Sequence, residues 1–144
     1  MNLLKNSSVD IKNLHLIISI IFIVPIAFVY GLYPKIILSK LFDIHVDTIN
    51  LTNIFRALMG LYLGMSTIWI LGIVKPKLWI TATLTNIVFM GSLAAGRLFS
   101  LALDGLPSIY FLVGFLLELL LAFWGIRNLK KYPHLNTQKG KRCS

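Results

Sequence analysis

The sequence predicts an all-α protein, a four-helix transmembrane bundle with a short interfacial helix between spans one and two. Three observations predict it. Apolar runs recur four times, over about residues 14–33, 51–74, 78–103 and 108–126. Each is close to the ~20 residues that a helix needs to cross a hydrocarbon core ~30 Å thick. The chain is 57% hydrophobic and only 13% charged, with a mean hydropathy of +0.81, which is too apolar for a soluble domain of 144 residues. Most of its basic residues flank the runs, where they orient a chain in the membrane.

Residues 1–13 form a short polar N-terminal segment with Lys5 and Lys12. The first run is too long for a signal-peptide core and ends without a small-x-small cleavage site, so it reads as an uncleaved span. Pro25 kinks it, which neighbouring helices tolerate in a bilayer. Tyr30 and Tyr33 suit an interfacial aromatic belt. Pro34 ends that helix. Residues 35–44 follow as an amphipathic segment, with Lys35, Ser39 and Asp43 on one side and Ile37, Leu41 and Ile44 on another.

The second span is capped by Asn50 or Thr52. Gly60 and Gly64 give it a small-xxx-small face for close helix packing. Lys75-Pro76-Lys77 is a tight basic turn. On the third span Trp79, Thr83, Asn86, Met90, Leu93, Arg97, Ser100 and Asp104 recur at alternating spacings of four and three, which puts them on one stripe. A stripe with such polar groups faces protein or water rather than lipid. Asp104-Gly105-Leu106-Pro107 reverses the chain, with Pro107 suited to the first position of a new helix. On the fourth span Gly114, Glu118, Ala122 and Gly125 share a face. Residues 127–144 are a basic, solvated tail with little apolar content.

Charge placement sets an expected orientation. Four spans put both termini and the 75–77 turn on one side. Ten of the fourteen Lys and Arg lie there: Lys5, Lys12, Lys75, Lys77 and the six of the tail. The expected location is therefore a bacterial inner membrane, with both termini cytoplasmic. The formal charge of +9 is explained by this flanking pattern. No basic-aromatic surface suggests a nucleic-acid partner. The partners expected are the lipid bilayer and a small anionic or polar ligand.

Several chemistries are excluded by what is missing. Cys143 is the one cysteine, so no disulfide, redox pair or thiolate metal site forms within a chain. It reads as a free thiol on the tail, with palmitoylation as the other reading. His15, His45 and His134 lie at different depths, which rules out paired haem ligation, and each reads as an interfacial or solvated histidine. No residues have metal-ligand spacing, and there is no P-loop or nucleophile elbow. No cofactor is implied.

The chemistry concentrates in a few buried charges. Arg97 lies seven residues from Asp104, ~10 Å below the turn. Arg56 lies at a similar depth from the same side. Glu118 lies ~16 Å beyond Pro107, near mid-membrane. A lone charge at the bilayer centre costs ~2.5–3.5 kcal/mol, so these groups are cheaper if they meet. The short turn makes spans three and four antiparallel neighbours. Arg97–Glu118 and Arg97–Asp104 are the competing pairs, and Arg56 can complete a cluster from span two.

The segment Asn53-Ile54-Phe55-Arg56-Ala57-Leu58-Met59-Gly60, then Gly96-Arg97-Leu98-Phe99-Ser100, Asp104-Gly105-Leu106-Pro107 and Glu118 resemble an uncharacterised family of small four-span bacterial membrane proteins. That family is a domain of unknown function, loosely similar to DoxX-like proteins. The resemblance covers about residues 15–130 and implies the four-span fold and the importance of the polar positions, but no known reaction. The expected ligand-binding residues are Arg97, Glu118, Arg56, Ser100, Asp104 and Asn53. The leading reading is a non-enzymatic membrane protein that binds a small polar or anionic ligand, or a lipid headgroup, at this outward-facing cluster. Two readings stand beside it: a membrane enzyme or redox accessory protein acting on a lipid-soluble substrate such as a quinone, and a structural subunit of a membrane complex whose cluster holds helices together.

Overall fold

The computed structural model describes residues 4–132. Five α-helices account for nearly all of them: α1 (Leu4–Gly31), α2 (Pro34–Phe42), α3 (Ile49–Val74), α4 (Trp79–Asp104) and α5 (Ile109–Lys131), with a 3-10 turn (Pro76–Leu78) between α3 and α4. Four are long and apolar enough to cross a membrane: Ile11–Gly31, Ile49–Val74, Pro76–Asp104 and Ile109–Lys131. No strand occurs among the described residues. The expected all-α bundle of four spans is the observed fold, and α2 is the short helix between spans one and two.

The termini of the helices follow local chemistry. Pro34 opens α2, and Asp43 closes it in a left-handed conformation (φ 55°) with its N–H donated to the Leu38 carbonyl. Thr48 caps α3, its hydroxyl accepting from the Leu51 N–H at 3.1 Å, and its carbonyl accepts from the Thr52 hydroxyl at 3.0 Å. The cap is thus earlier than the expected Asn50 or Thr52. Gly105 ends α4 with a positive φ of 94°, which a Cβ would disfavour. Pro107 precedes the N-cap Ser108 rather than opening α5 itself. Pro25 stays inside α1.

The helices pack in chain order. α1 lies along α3, α3 along α4 and α4 along α5, while α1 and α5 touch sparingly. Lipid tails are as apolar as the core, so close packing rather than water exclusion holds such helices together. Trp69 and Trp79 are wholly buried. Tyr30, Tyr62, Phe89 and Trp69 form a run of ring contacts with centroids 5.2–5.9 Å apart. Large apolar side chains such as Val88, Phe99, Leu120 and Phe123 point outward, as a lipid-facing surface requires.

The close approaches are not where the small-residue pattern put them. Gly31 meets the Met59 side chain, and Gly72 meets the Ala82 Cβ. Gly60 and Gly64 face open space, because the helix rotation turns that side of α3 away from its neighbours. The buried side of α2 also differs from expectation. Pro34 and Leu38 are buried and Leu41 is exposed. The row that packs is 34-38-42, one i+4 ridge, because α2 packs against α1 and α3 beside the seam between α1 and α5. Phe42 enters that seam, with its ring centroid 5.3 Å from Phe111 and 6.0 Å from Tyr110.

At the opposite end the seam is drawn together by Asn128. Its amide donates to the Lys12 carbonyl at 3.3 Å and meets His15 Nδ1 at 2.9 Å. His15 is fully buried, edge-on to Trp79 with centroids 6.2 Å apart, and is packed inside the bundle rather than solvated. α5 therefore continues past the expected span end at 126 with a packed face. The tail from residue 133, including Cys143, lies outside the described residues.

Candidate functional site

The site grows from the α4 stripe. From Trp79 to Met90 the stripe is buried. Beyond that Arg97 is half-buried, and Ser100 and Asp104 are exposed. On α5 the i, i+4 and i+7 spacing from Glu118 continues through Ala122 to Gly125, all three buried. Because Gly105 and Pro107 return the chain directly, Glu118 lies beside Arg97. The Arg97 Nε–H donates to both carboxylate oxygens of Glu118, at 3.0 Å to Oε1 and 2.9 Å to Oε2. The Glu118 side chain is 8% exposed and that of Arg97 is 25% exposed. This is a buried, charge-neutral ion pair, the arrangement that lowers the cost of each charge.

The competing partner is taken by another group. Asp104 Oδ2 accepts from the Ser100 hydroxyl at 2.8 Å, on the exposed end of α4. That local bond holds the carboxylate beside the turn and away from Arg97. Arg56 and Asn53 do not join the pair either. Both are exposed and line a separate groove with Lys35 of α2. The six expected residues therefore fall into three groups: Arg97 with Glu118, Ser100 with Asp104, and Asn53 with Arg56. Depth brought Arg56 into the expected cluster, but the rotation of α3 turns it outward.

Three features around Arg97 matter chemically. First, Glu118 takes only the Nε–H, and the Tyr30 phenol is also hydrogen-bonded to the Arg97 side chain, which leaves further N–H donors on a guanidinium that carries five. Second, Arg97 is bordered by two small cavities. One, of about 120 Å³, is walled by Ile26, Tyr30, Phe42, Phe111 and Glu118. The other, of about 100 Å³, is walled by Ser100, Pro107, Phe111 and Phe115. Third, Phe111 stands between them with its ring centroid 5.5 Å from Arg97 Cζ, a cation–π distance. Gly114 faces the guanidinium; a Cβ there would lie 3.8 Å from Cζ and Nη2, an ordinary contact.

Sequence reading missed Tyr30 and Phe42 as parts of this site. Tyr30 was expected in an interfacial belt, yet its phenol faces the guanidinium. Its position five residues after Pro25 on the α1 face that carries Ile23 and Ala27 was a usable signal, since Ile23, Ala27 and Tyr30 repeat at four and three. Phe42 carried no signal, because its place depends on how α2 folds back. Among the described residues no group of three His, Cys, Asp or Glu is placed to hold a metal ion.

Four apolar spans around a buried Arg–Glu pair define a multi-pass membrane protein with a polar centre. The chain belongs to the family described as Domain of unknown function (DUF4345), which matches residues 11–127. The match takes in all four candidate spans almost entirely, with Arg56, Arg97 and Glu118 inside it. No curated protein and no solved structure matches the chain.

Proposed function

We propose that the protein is a membrane-embedded binding protein whose Arg97–Glu118 pair holds the uncharged, hydrogen-bond-accepting head of a lipid-soluble ligand. The observation that carries this reading is the charge-neutral Arg97–Glu118 pair, bordered by two small cavities with apolar and aromatic walls. Glu118 already balances the arginine charge. A neutral carbonyl or hydroxyl can accept from the Nη–H groups without meeting a net charge, whereas a carboxylate would also face Glu118. The walls suit an apolar body, as in most small-molecule sites. Size restricts the head. Cavities of about 100 and 120 Å³ are smaller than the ~150 Å³ cavity that accepts benzene. A ketone, ester or alcohol head is within that size, and a substituted quinone ring exceeds it.

Orientation belongs to the same reading. Both termini and the Lys75–Lys77 turn are cytoplasmic, in a bacterial inner membrane, because the basic residues concentrate there. The pair then opens toward the outer face.

Thermal unfolding in detergent tests the binding. The probes are a long-chain methyl ketone, an alkyl benzoquinone and a fatty-acid carboxylate. The ketone should raise the unfolding temperature of the parent and leave Arg97→Met unmoved. Stronger stabilisation by the carboxylate would overturn the neutral-head reading. No stabilisation by any probe would overturn the binding site and leave the pair as helix–helix glue.

A further inference from the structure

The cations left out of that pair have a place of their own. Arg56, Asn53 and Thr52 of α3 and Lys35 of α2 line an open groove of about 550 Å³, floored by Ile49 and Ala57. No carboxylate lines it. Arg56 makes no ion pair or hydrogen bond with any described residue. Directly below Arg56 along the same side of α3, Gly60 and Gly64 are exposed, and nothing lies within 4 Å of where their Cβ atoms would be. The result is a cationic notch at the top of a shallow apolar trough.

Depth identifies what reaches the notch. α3 has 26 residues, ~39 Å of helix against a hydrocarbon core of ~30 Å, so each end extends ~4–5 Å beyond it. Arg56 is seven residues from Ile49, ~10 Å along, which puts its Cα ~6 Å inside the hydrocarbon edge. A guanidinium facing lipid at that depth snorkels toward the interface and seeks an anion. The first anion at that level is a lipid phosphate. Lys35, at the start of the short helix between the spans, converges on the same groove from α2.

We propose that Lys35, Asn53 and Arg56 form a headgroup site for an anionic phospholipid, with an acyl chain lying along Gly60 and Gly64. The Arg56 fork and the Lys35 ammonium take the phosphodiester oxygens. The Asn53 amide hydrogen-bonds the glycerol and headgroup oxygens, and the Thr52 hydroxyl, whose proton goes to the Thr48 carbonyl, accepts from a headgroup hydroxyl. The trough runs on to hydrocarbon depth, which suits a lipid and gives nothing to a free anion. A second copy docked through this face about a two-fold axis would set Arg56 against its own counterpart, a like-charge contact. The site is separate from the Arg97–Glu118 pair and does not depend on the function proposed for it.

The full chain in detergent, titrated with dioleoyl phosphatidylglycerol, dioleoyl phosphatidylcholine or inorganic phosphate and read by native mass spectrometry, tests the site. The parent should bind phosphatidylglycerol in preference to phosphatidylcholine. Arg56→Gln and Lys35→Gln should each weaken phosphatidylglycerol about fivefold, as expected for one surface cation at ~1 kcal/mol. Lys77→Gln, at the other end of the bundle, should not. Both groove side chains are exposed, and Lys35→Gln decides the matter if Arg56→Gln fails to fold. Unchanged phosphatidylglycerol binding in the groove variants overturns the proposal. So does inorganic phosphate that competes for the same site at equal affinity, which marks a free-anion site. So does a change of oligomeric mass in Arg56→Gln without a change in lipid binding, which marks a helix partner.

Discussion

The Arg97–Glu118 pair makes a quantitative prediction through a double-mutant cycle. The perturbations are Arg97→Met, Glu118→Leu and the two together. Two unit charges ~4 Å apart attract by ~4 kcal/mol at an effective dielectric of ~20. Desolvation offsets much of that gain, so the pair itself adds little over a well-packed apolar replacement. Removing one partner is different, because it strands a charge in the bundle. The cost for a buried pair is ~3–5 kcal/mol, and the lower end applies here because the Arg97 side chain keeps 25% of its exposure. Each single variant should therefore lose ~3 kcal/mol, and the double variant should be no worse than either. The assay is reversible unfolding in mixed micelles, followed by tryptophan fluorescence. Trp79 is fully buried and lies eighteen residues, ~27 Å, along α4 from Arg97, so it reports global unfolding rather than the local change. A double variant that costs the sum of the singles, ~6 kcal/mol, would refute the coupling and with it the geometry of the site.

Two further predictions concern the other end of the bundle and its orientation. Asn128→Leu removes the donor to the Lys12 carbonyl and the partner of His15, and should cost ~1–3 kcal/mol by the same assay; a loss under ~0.5 kcal/mol would show that this end is held by packing alone. In a Cys143→Ser background, Asp104→Cys should react with a membrane-impermeant maleimide in intact cells, and Lys77→Cys only after the membrane is opened. The reverse pattern would invert the orientation.

Some of this was legible from single residues. Glu118 was legible as a partner for Arg97, with Asp104 as its competitor, because the Gly105–Pro107 turn leaves α4 and α5 no separation in which to avoid each other. The α4 stripe was legible because helical periodicity fixes which residues share a face. Arg56 shows the limit of that reasoning. Its expected depth matched that of Arg97, but depth along an axis says nothing of rotation about it. His15 shows the same limit in reverse. It looked interfacial by position, and it is buried because Asn128, more than a hundred residues on in the sequence, packs beside it.

The sequence by itself determined the four spans, their order and the polar positions within them, because span length, turn chemistry and periodicity are local properties of the chain. Only the tertiary structure decided which way each helix turns. In water an apolar stripe marks the inward face, but in a bilayer lipid and core are equally apolar, so hydropathy does not distinguish them. The face that packs is chosen by shape: Gly31 of α1 against Met59 of α3, Gly72 of α3 against Ala82 of α4, and Phe42 in the seam between α1 and α5. Those contacts leave Gly60, Gly64 and Arg56 facing outward, and they divide one expected cluster into a neutral pair inside the bundle and a cationic groove on its surface.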